Sequence, residues 1–307
     1  MEYDNTLDGL PQWQKRLLQR HHLPPSYLAS AQYWFDPLAE SIVMHQQGAR
    51  RPLLIAINGS QGSGKSTLCA YLEMAISTRY QLKTVTLSLD DFYYTREQRL
   101  ALSQDVHPLL LARGVPGTHD IAMLGDVLNS LLTRDNNEPV TIPRFDKSTD
   151  DRMPQPEEFS GPVDVVLLEG WCLGARPQPV EQLAEPINAL EENEDPHGIW
   201  RNYVNSILAR DFLPLYQQVD YWVMLQAPGF ECVYEWRREQ EAKLGLGKGG
   251  KSGKRIMNEV QLARFIQYYE RLTRECLRDL PEQVDQLYVL DENRRVTASH
   301  KSAGFSE

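Results

Sequence analysis

Gly59-Ser60-Gln61-Gly62-Ser63-Gly64-Lys65-Ser66-Thr67 constrains this chain more than any other segment. It fits the pattern G-x-x-x-x-G-K-[ST], with Gly59, Gly64, Lys65 and Ser66 at the fixed positions. Leu53-Leu54-Ile55-Ala56-Ile57 before it is a short apolar run of buried-strand type. Leu68-Cys69-Ala70-Tyr71-Leu72-Glu73-Met74 after it favours helix. Strand, glycine loop and helix start together aim backbone N–H groups and the positive end of a helix dipole at one point. Such a point suits a polyphosphate. Every residue from Gly59 to Thr67 is therefore a candidate nucleotide contact. Lys65 is expected to reach the β- and γ-phosphates and Ser66 to hold Mg²⁺.

Beyond this loop the sequence alternates strands and helices. Apolar runs at 53–57, 83–89, 163–168, 219–225 and 284–290 read as strands buried on both faces, with helical stretches between them. The expected fold class is α/β: a P-loop NTPase-type parallel sheet, helices on both faces, built from right-handed βαβ units. Residues 1–50 read as a helical N-terminal extension, with Trp34, Leu38 and Ile42 on one helix face and Gly48 and Pro52 ending it. The remainder, 51–307, reads as one α/β domain built around the phosphate loop. The run Glu191-Glu192-Asn193-Glu194-Asp195 reads as a solvated acidic loop.

Ligands in an open parallel sheet bind beyond the carboxyl ends of the strands. Asp90-Asp91-Phe92-Tyr93-Tyr94 follows the second strand. A carboxylate there faces the γ-phosphate and can take a proton from an acceptor hydroxyl, while its neighbour can serve as a helix cap. Glu169-Gly170-Trp171 follows the third strand, and Glu169 is the candidate second contributor to the Mg²⁺ site. The turn Arg113-Gly114-Val115-Pro116-Gly117-Thr118-His119-Asp120 leads into a helix. Pro143-Arg144-Phe145-Asp146-Lys147-Ser148, with Arg152 nearby, concentrates cations suited to a carboxylate-bearing acceptor. Trp236-Arg237-Arg238-Glu239-Gln240-Glu241 is helical in pattern, and Gly245–Lys254 after it holds five glycines and three lysines. Cations on such a loop suit a mobile lid, at about 236–256, that closes over phosphates.

Charge narrows the partners. The 307-residue chain carries a formal net charge of −10, which disfavours nucleic acid and anionic membranes and leaves a small molecule drawn by local cations. No run of 18 apolar residues predicts a membrane span. The acidic Met1-Glu2-Tyr3-Asp4 start lacks an apolar signal core, and Cys69, Cys172, Cys232 and Cys276 are scattered, so reduced thiols in a cytoplasmic protein are expected. Oligomeric state is not legible.

Taken together, Gly59–Thr67, Leu87-Ser88-Leu89-Asp90-Asp91-Phe92-Tyr93, Arg113–Asp120, Pro143–Ser148, Leu168-Glu169-Gly170-Trp171 and Tyr268-Tyr269-Glu270-Arg271-Leu272-Thr273 resemble the plant and fungal D-glycerate 3-kinases. These sit in a wider P-loop kinase group with phosphoribulokinase, uridine kinase and bacterial pantothenate kinase. The resemblance covers roughly residues 50 to 290. It implies an ATP- and Mg²⁺-dependent kinase acting on a small hydroxy acid, with Asp90 as base, Lys65 and Ser66 on phosphate and Mg²⁺, and Arg237 or Arg238 as the lid arginine. The candidate acceptor-facing set is Asp90, Tyr93, Arg113, His119, Arg144, Asp146, Lys147 and Arg152, within an insert at about 92–160. Thr149-Asp150, where relatives often carry Gly, departs from the pattern, as does the richness of the lid in Gly and Lys. A same-fold kinase for pantothenate or a nucleoside, or a nucleotide-gated binding protein or ATPase without an acceptor, are the competing readings.

Overall fold

The computed structural model describes residues 9–133, 138–246 and 257–302. Helices α1 (Gln12–His21) and α2 (Ser26–Gly48) precede β1 (Leu53–Gly59), α3 (Lys65–Tyr80) and β2 (Thr84–Ser88). A 3-10 turn, Leu89–Phe92, leads to α4 (Arg96–Asp105) and α5 (Ile121–Leu132). Four short strands follow: β3 (Val140–Ile142), β4 (Phe145–Asp146), β5 (Asp151–Arg152) and β6 (Glu157–Phe159). Then come β7 (Val165–Gly170), α6 (Ala189–Glu194), α7 (Ile199–Ile207), α8 (Leu213–Tyr216) and β8 (Tyr221–Gln226). The chain closes with α9 (Phe230–Leu246), α10 (Glu259–Asp279), β9 (Gln286–Leu290) and β10 (Val296–Lys301).

The main sheet has six strands in the order β10-β9-β8-β1-β7-β2. All neighbours run parallel except β10, which pairs antiparallel with β9. Side chains alternate across the sheet. Leu54, Val166, Leu168 and Met224 enter one core, and Ile55, Ile57, Val165, Leu167 and Val223 enter the other. Each is buried, which is why β1 and β7 read as near-continuous apolar runs. Truncating one such side chain, Ile57→Ala for example, costs about 2–5 kcal/mol. Helices α1, α2 and α3 contribute Leu17, Phe35, Leu38, Ile42, Leu68, Leu72 and Ile76 to the second core. The Tyr71 hydroxyl of α3 donates to Asp36 of α2 at 2.5 Å, and Arg79 pairs with the same carboxylate at 2.8 Å.

Insertion of β7 between β1 and β2 is what assembles the site. The register sets Asn58 of β1 beside Gly170 and Ser88 of β2 beside Glu169. The ends of three strands that are far apart in sequence thus open onto one cleft. Asn58 ties the chain after β7 in place, its amide donating to the carbonyls of Trp171 at 3.2 Å and Leu173 at 2.7 Å.

One sequence expectation fails here. Residues 191–195 are not a solvated acidic loop: Ala189–Glu194 is helical, and Glu191 and Asp195 are each only 1% exposed. Arg271 donates to both Glu191 oxygens, and Arg201 pairs with Asp195 at 3.0 Å. A buried carboxylate persists only when paired in this way. The cations that bury them come from α7 and α10, so the local charge run carried no sign of it. Glu191, Arg201 and Arg271 line a small hollow together with Val115, behind the Arg113–Asp120 turn.

Candidate active site

The phosphate loop follows β1 directly. A Cβ on Gly59 would stand 2.5 Å from Ser63 Oγ and 3.3 Å from Leu225 Cβ, so the first loop position has room only for glycine. Helix α3 begins at Lys65. Its first-turn N–H groups have no partner within the helix and point into the cleft. Ser60 Oγ, both amide atoms of Gln61, Ser63 Oγ and Glu169 Oε2 are all buried without a hydrogen-bond partner. Buried polar atoms rarely stay so. A polyphosphate with its cation fits this set, since it supplies acceptors for the donors and a positive charge for Glu169. Ser66 Oγ donates to Glu169 Oε1 at 2.8 Å, Ser88 Oγ to the same oxygen at 3.0 Å, and Lys65 Nζ lies 3.7 Å from Oε2. Ser66 and Glu169 are therefore side by side, as a shared Mg²⁺ requires. Among the described residues no cluster of three or more His, Cys, Asp or Glu is placed to hold a metal ion by itself.

Asp90 and Asp91 divide their labour. Neither caps the Leu89–Phe92 turn. Asp90 turns into the cleft: Tyr93 OH donates to its Oδ1 at 2.9 Å, and Lys147 Nζ closes on Oδ2. Burial opposes its ionisation, but Lys147 and Lys65 together hold its carboxyl well below the usual carboxylate range. Asp91 turns away. Its Oδ2 accepts from Arg144 at 2.6 Å and its Oδ1 from the Phe145 backbone N–H at 3.2 Å. Burial pushes its pKa up, with Arg144 opposing. Asp91 thus anchors the β4–β5 hairpin that delivers Lys147.

The acceptor side is built from three segments pinned together. Asp120 N–H donates to the Phe92 carbonyl at 2.7 Å and Tyr94 N–H to the Thr118 carbonyl at 2.9 Å. This bridge stacks His119 on Tyr93, with ring centroids 4.4 Å apart. His119 is 2% exposed, and neither ring nitrogen makes a well-formed hydrogen bond. Burial lowers its pKa to about 4 against the pull of Asp90, so the ring is neutral at pH 7. Gly114 has φ +145°, and a Cβ there would strike the Tyr269 hydroxyl at 2.5 Å. The Gly114 carbonyl accepts from Trp171 Nε1 at 3.0 Å, which locks this turn to the end of β7.

Several expected cations already have protein partners. Arg144 is shared between Asp91 and Glu157, Arg152 binds the Tyr93 carbonyl at 2.8 Å and Asp120 at 3.1 Å, and Arg113 pairs with Asp150. Asp146 shapes its own turn by accepting from Ser148 N–H at 2.7 Å. Lys147 pairs with Asp90 but differs from these arginines in exposure, its side chain 59% accessible. The two lid arginines also differ. Arg237 lies over the Phe265 ring at 5.5 Å and acts electrostatically on Tyr269, whereas Arg238 is exposed and pairs with Glu235 at 2.5 Å. Of the Gly245–Lys254 loop, everything after Leu246 lies outside the described residues.

Sequence reasoning missed Arg99. It is fully buried on α4 and donates to the carbonyls of Tyr94, Leu111 and Asp150 while pairing with the Asp150 carboxylate at 3.1 Å. One side chain thus ties the three acceptor-side segments together. The Thr149-Asp150 departure gains a reason too: Asp150 sits in the left-handed region at φ +60°, where its carboxylate reaches both Arg99 and Arg113. In sequence Arg99 is only one of two arginines in a polar helix.

No protein-family profile matches the chain. It is 32% identical over 254 residues to the uncharacterized kinase mug58 of Schizosaccharomyces pombe, spanning 79% of this chain and 87% of that protein. It is 31% identical over 235 residues to the probable ATP-dependent kinase TDA10 of Saccharomyces cerevisiae, spanning 73% and 77%. Among solved structures, a D-glycerate 3-kinase from Cryptococcus neoformans var. grubii serotype A matches with a TM-score of 0.70 at 26% identity, over 86% of this chain and 96% of that one. With a parallel sheet, a phosphate loop and these relatives, the chain belongs to the family of P-loop small-molecule kinases that takes in mug58, TDA10 and D-glycerate 3-kinase.

Proposed function

We propose that this kinase moves the γ-phosphoryl group of ATP to a hydroxyl of a small hydroxy acid, D-glycerate, to give 3-phosphoglycerate. The observation that carries the reading is the pairing of Asp90 with Lys147 beside Lys65: a base and a solvent-accessible cation stand together at the phosphate end of the cleft. A switch protein or an acceptor-free ATPase needs neither. The likeness to the solved Cryptococcus D-glycerate 3-kinase, which extends over most of both chains, supports the choice of acid.

Each residue then has a task. Gly59–Thr67 and the start of α3 cradle the phosphates, and Lys65 and Arg237 balance their charge. Ser66 and Glu169 would hold Mg²⁺, which when bound neutralises the β- and γ-phosphate oxygens. Asp90 accepts the proton of the acceptor hydroxyl as its oxygen bonds to the γ-phosphorus and the bond to the bridging oxygen of ADP breaks. Tyr93 fixes Asp90 Oδ1, and Lys147 meets the carboxylate of the acceptor, with Arg113, paired to Asp150, as a second cation on that side. Arg144, Arg152 and Asp146 hold the hairpin rather than the acid. No described helix is long and apolar enough to cross a membrane, and the four cysteines are free thiols, which suits the cytoplasmic setting we propose.

A screen of acceptors with ATP and Mg²⁺, read as ADP release, tests the proposal. D-glycerate is expected to be turned over ahead of glycerol, pantothenate and uridine. Faster turnover of any of the other three overturns the assignment, and ADP release indifferent to all of them returns the protein to the ATPase reading.

A further inference from the structure

Both oxygens of Asp90 are engaged by the protein itself, but by donors of opposite mobility. Tyr93 is 3% exposed and clamped, with His119 stacked on one face and Phe145 edge-on at 5.3 Å. Its hydroxyl cannot leave Oδ1 without dismantling that stack. Lys147 stands at the turn after β4 on a long, mostly solvated stem. Its ammonium can leave Oδ2 by rotating side-chain bonds alone. An acceptor hydroxyl that is to give up its proton needs the oxygen that Lys147 covers.

We infer that Lys147 is a substrate-operated latch on the catalytic base: it covers Oδ2 of Asp90 until the carboxylate of an acceptor draws the ammonium away and turns that oxygen over to the acceptor hydroxyl. This rests on the hydroxy-acid reading above. The ammonium carries three donors, so it can bridge the two carboxylates as it passes from one to the other and neither is stranded. Moving the cation off Asp90 also removes part of the field that keeps its carboxylate ionised, which strengthens the base at the moment it is needed. An alcohol without an anionic group leaves the pair closed. Water is refused by the same means. Lys147 thereby sets specificity through access to the base as well as through affinity. Lys65 and His119, which also act on Asp90, are held in the phosphate loop and in the Tyr93 stack and cannot play this part; Asp91, Tyr93, Cys172 and Tyr269, which feel its charge too, bring no cation.

The test compares wild type, Lys147→Met and Lys147→Arg with D-glycerate, with glycerol and with no acceptor, at saturating ATP, by ADP release. Lys147→Met should fold normally, because the side chain lies mostly in solvent, and an unchanged melting temperature checks this. Its kcat/KM for D-glycerate is expected to fall about 30-fold or more, while turnover of glycerol and acceptor-free hydrolysis rise. Lys147→Arg, which keeps the charge, is expected to restore the preference for the acid. Equal losses on D-glycerate and glycerol would mean that Lys147 merely orients Asp90, and no change on either would make it an idle surface charge; each overturns the latch alone. Wild type that prefers glycerol overturns the hydroxy-acid reading and the latch together.

Discussion

Asp90→Asn and Asp91→Asn are adjacent, isosteric changes with opposite expected consequences. The Asn amide oxygen at position 90 can still accept from Tyr93, so the fold and the cleft keep their shape. It cannot take a proton. Loss of a general base lowers kcat by about 10²–10⁴, equivalent to about 3–5 kcal/mol at the transition state. KM for ATP should change by no more than about threefold, because Asp90 acts on the loop only through its charge near Lys65 and hydrogen-bonds to Tyr93 and Lys147 instead. At position 91 the amide can satisfy the Phe145 N–H or Arg144 but not both. Arg144 keeps Glu157, and the side chains of Arg144 and Asp91 are 28% and 17% exposed, so the pair is only partly desolvated. A cost of about 1–2 kcal/mol of stability follows, with kcat reduced less than about tenfold through a looser hairpin. Steady-state kinetics with D-glycerate and ATP, alongside thermal melts, separates the two. The reasoning is refuted if folded Asp91→Asn loses as much kcat as Asp90→Asn, or if Asp90→Asn keeps more than about a tenth of wild-type kcat.

Lys65→Ala should leave the melting temperature near that of wild type and remove nearly all turnover, and a folded variant with unchanged kcat would withdraw the phosphate role. Arg237→Ala should raise KM for ATP and lower kcat, whereas Arg238→Ala, whose partner is Glu235 on the solvent side, should alter neither by more than about twofold. Arg271→Leu strands the buried Glu191 carboxylate and should cost about 3–5 kcal/mol, a fall of about 5–8 °C in melting temperature for a chain of this length. Adding Glu191→Leu should recover at least half of that fall, and a double variant no better than Arg271→Leu would show that packing rather than charge is lost.

What the sequence disclosed were features carried by neighbours in the chain. The loop at Gly59–Thr67 and its flanking strand and helix are local, and so are the apolar runs that became β1, β7 and β8. The order β1-β7-β2 is not local, and it alone brings Glu169 to Ser66 across 103 residues. The same limit hid the fate of charges. Whether Glu191 is wet or buried depends on Arg271, 80 residues on, and Asp90 differs from Asp91 only through partners on a hairpin more than 50 residues away. Arg99 looked like any polar helix residue because its three carbonyl partners lie on separate loops. Strand β10 escaped notice since one exposed, antiparallel edge strand has no apolar run to announce it.

The Tyr288 hydroxyl of β9 donates to the Trp34 carbonyl of α2 at 3.0 Å, closing a span of 254 residues. During synthesis, at about 5–20 residues per second, Trp34 waits about 13–50 s for that partner. Phe35, Leu38 and Ile42 face the core that β9 completes with Tyr288 and Leu290, so part of the apolar face of the early helices stays uncovered to the end of that interval. Contacts this distant in sequence also slow refolding. Recovery of activity after dilution from denaturant should therefore be slow and sensitive to protein concentration, and a chaperone that shields apolar helices should raise the yield more than it raises the rate.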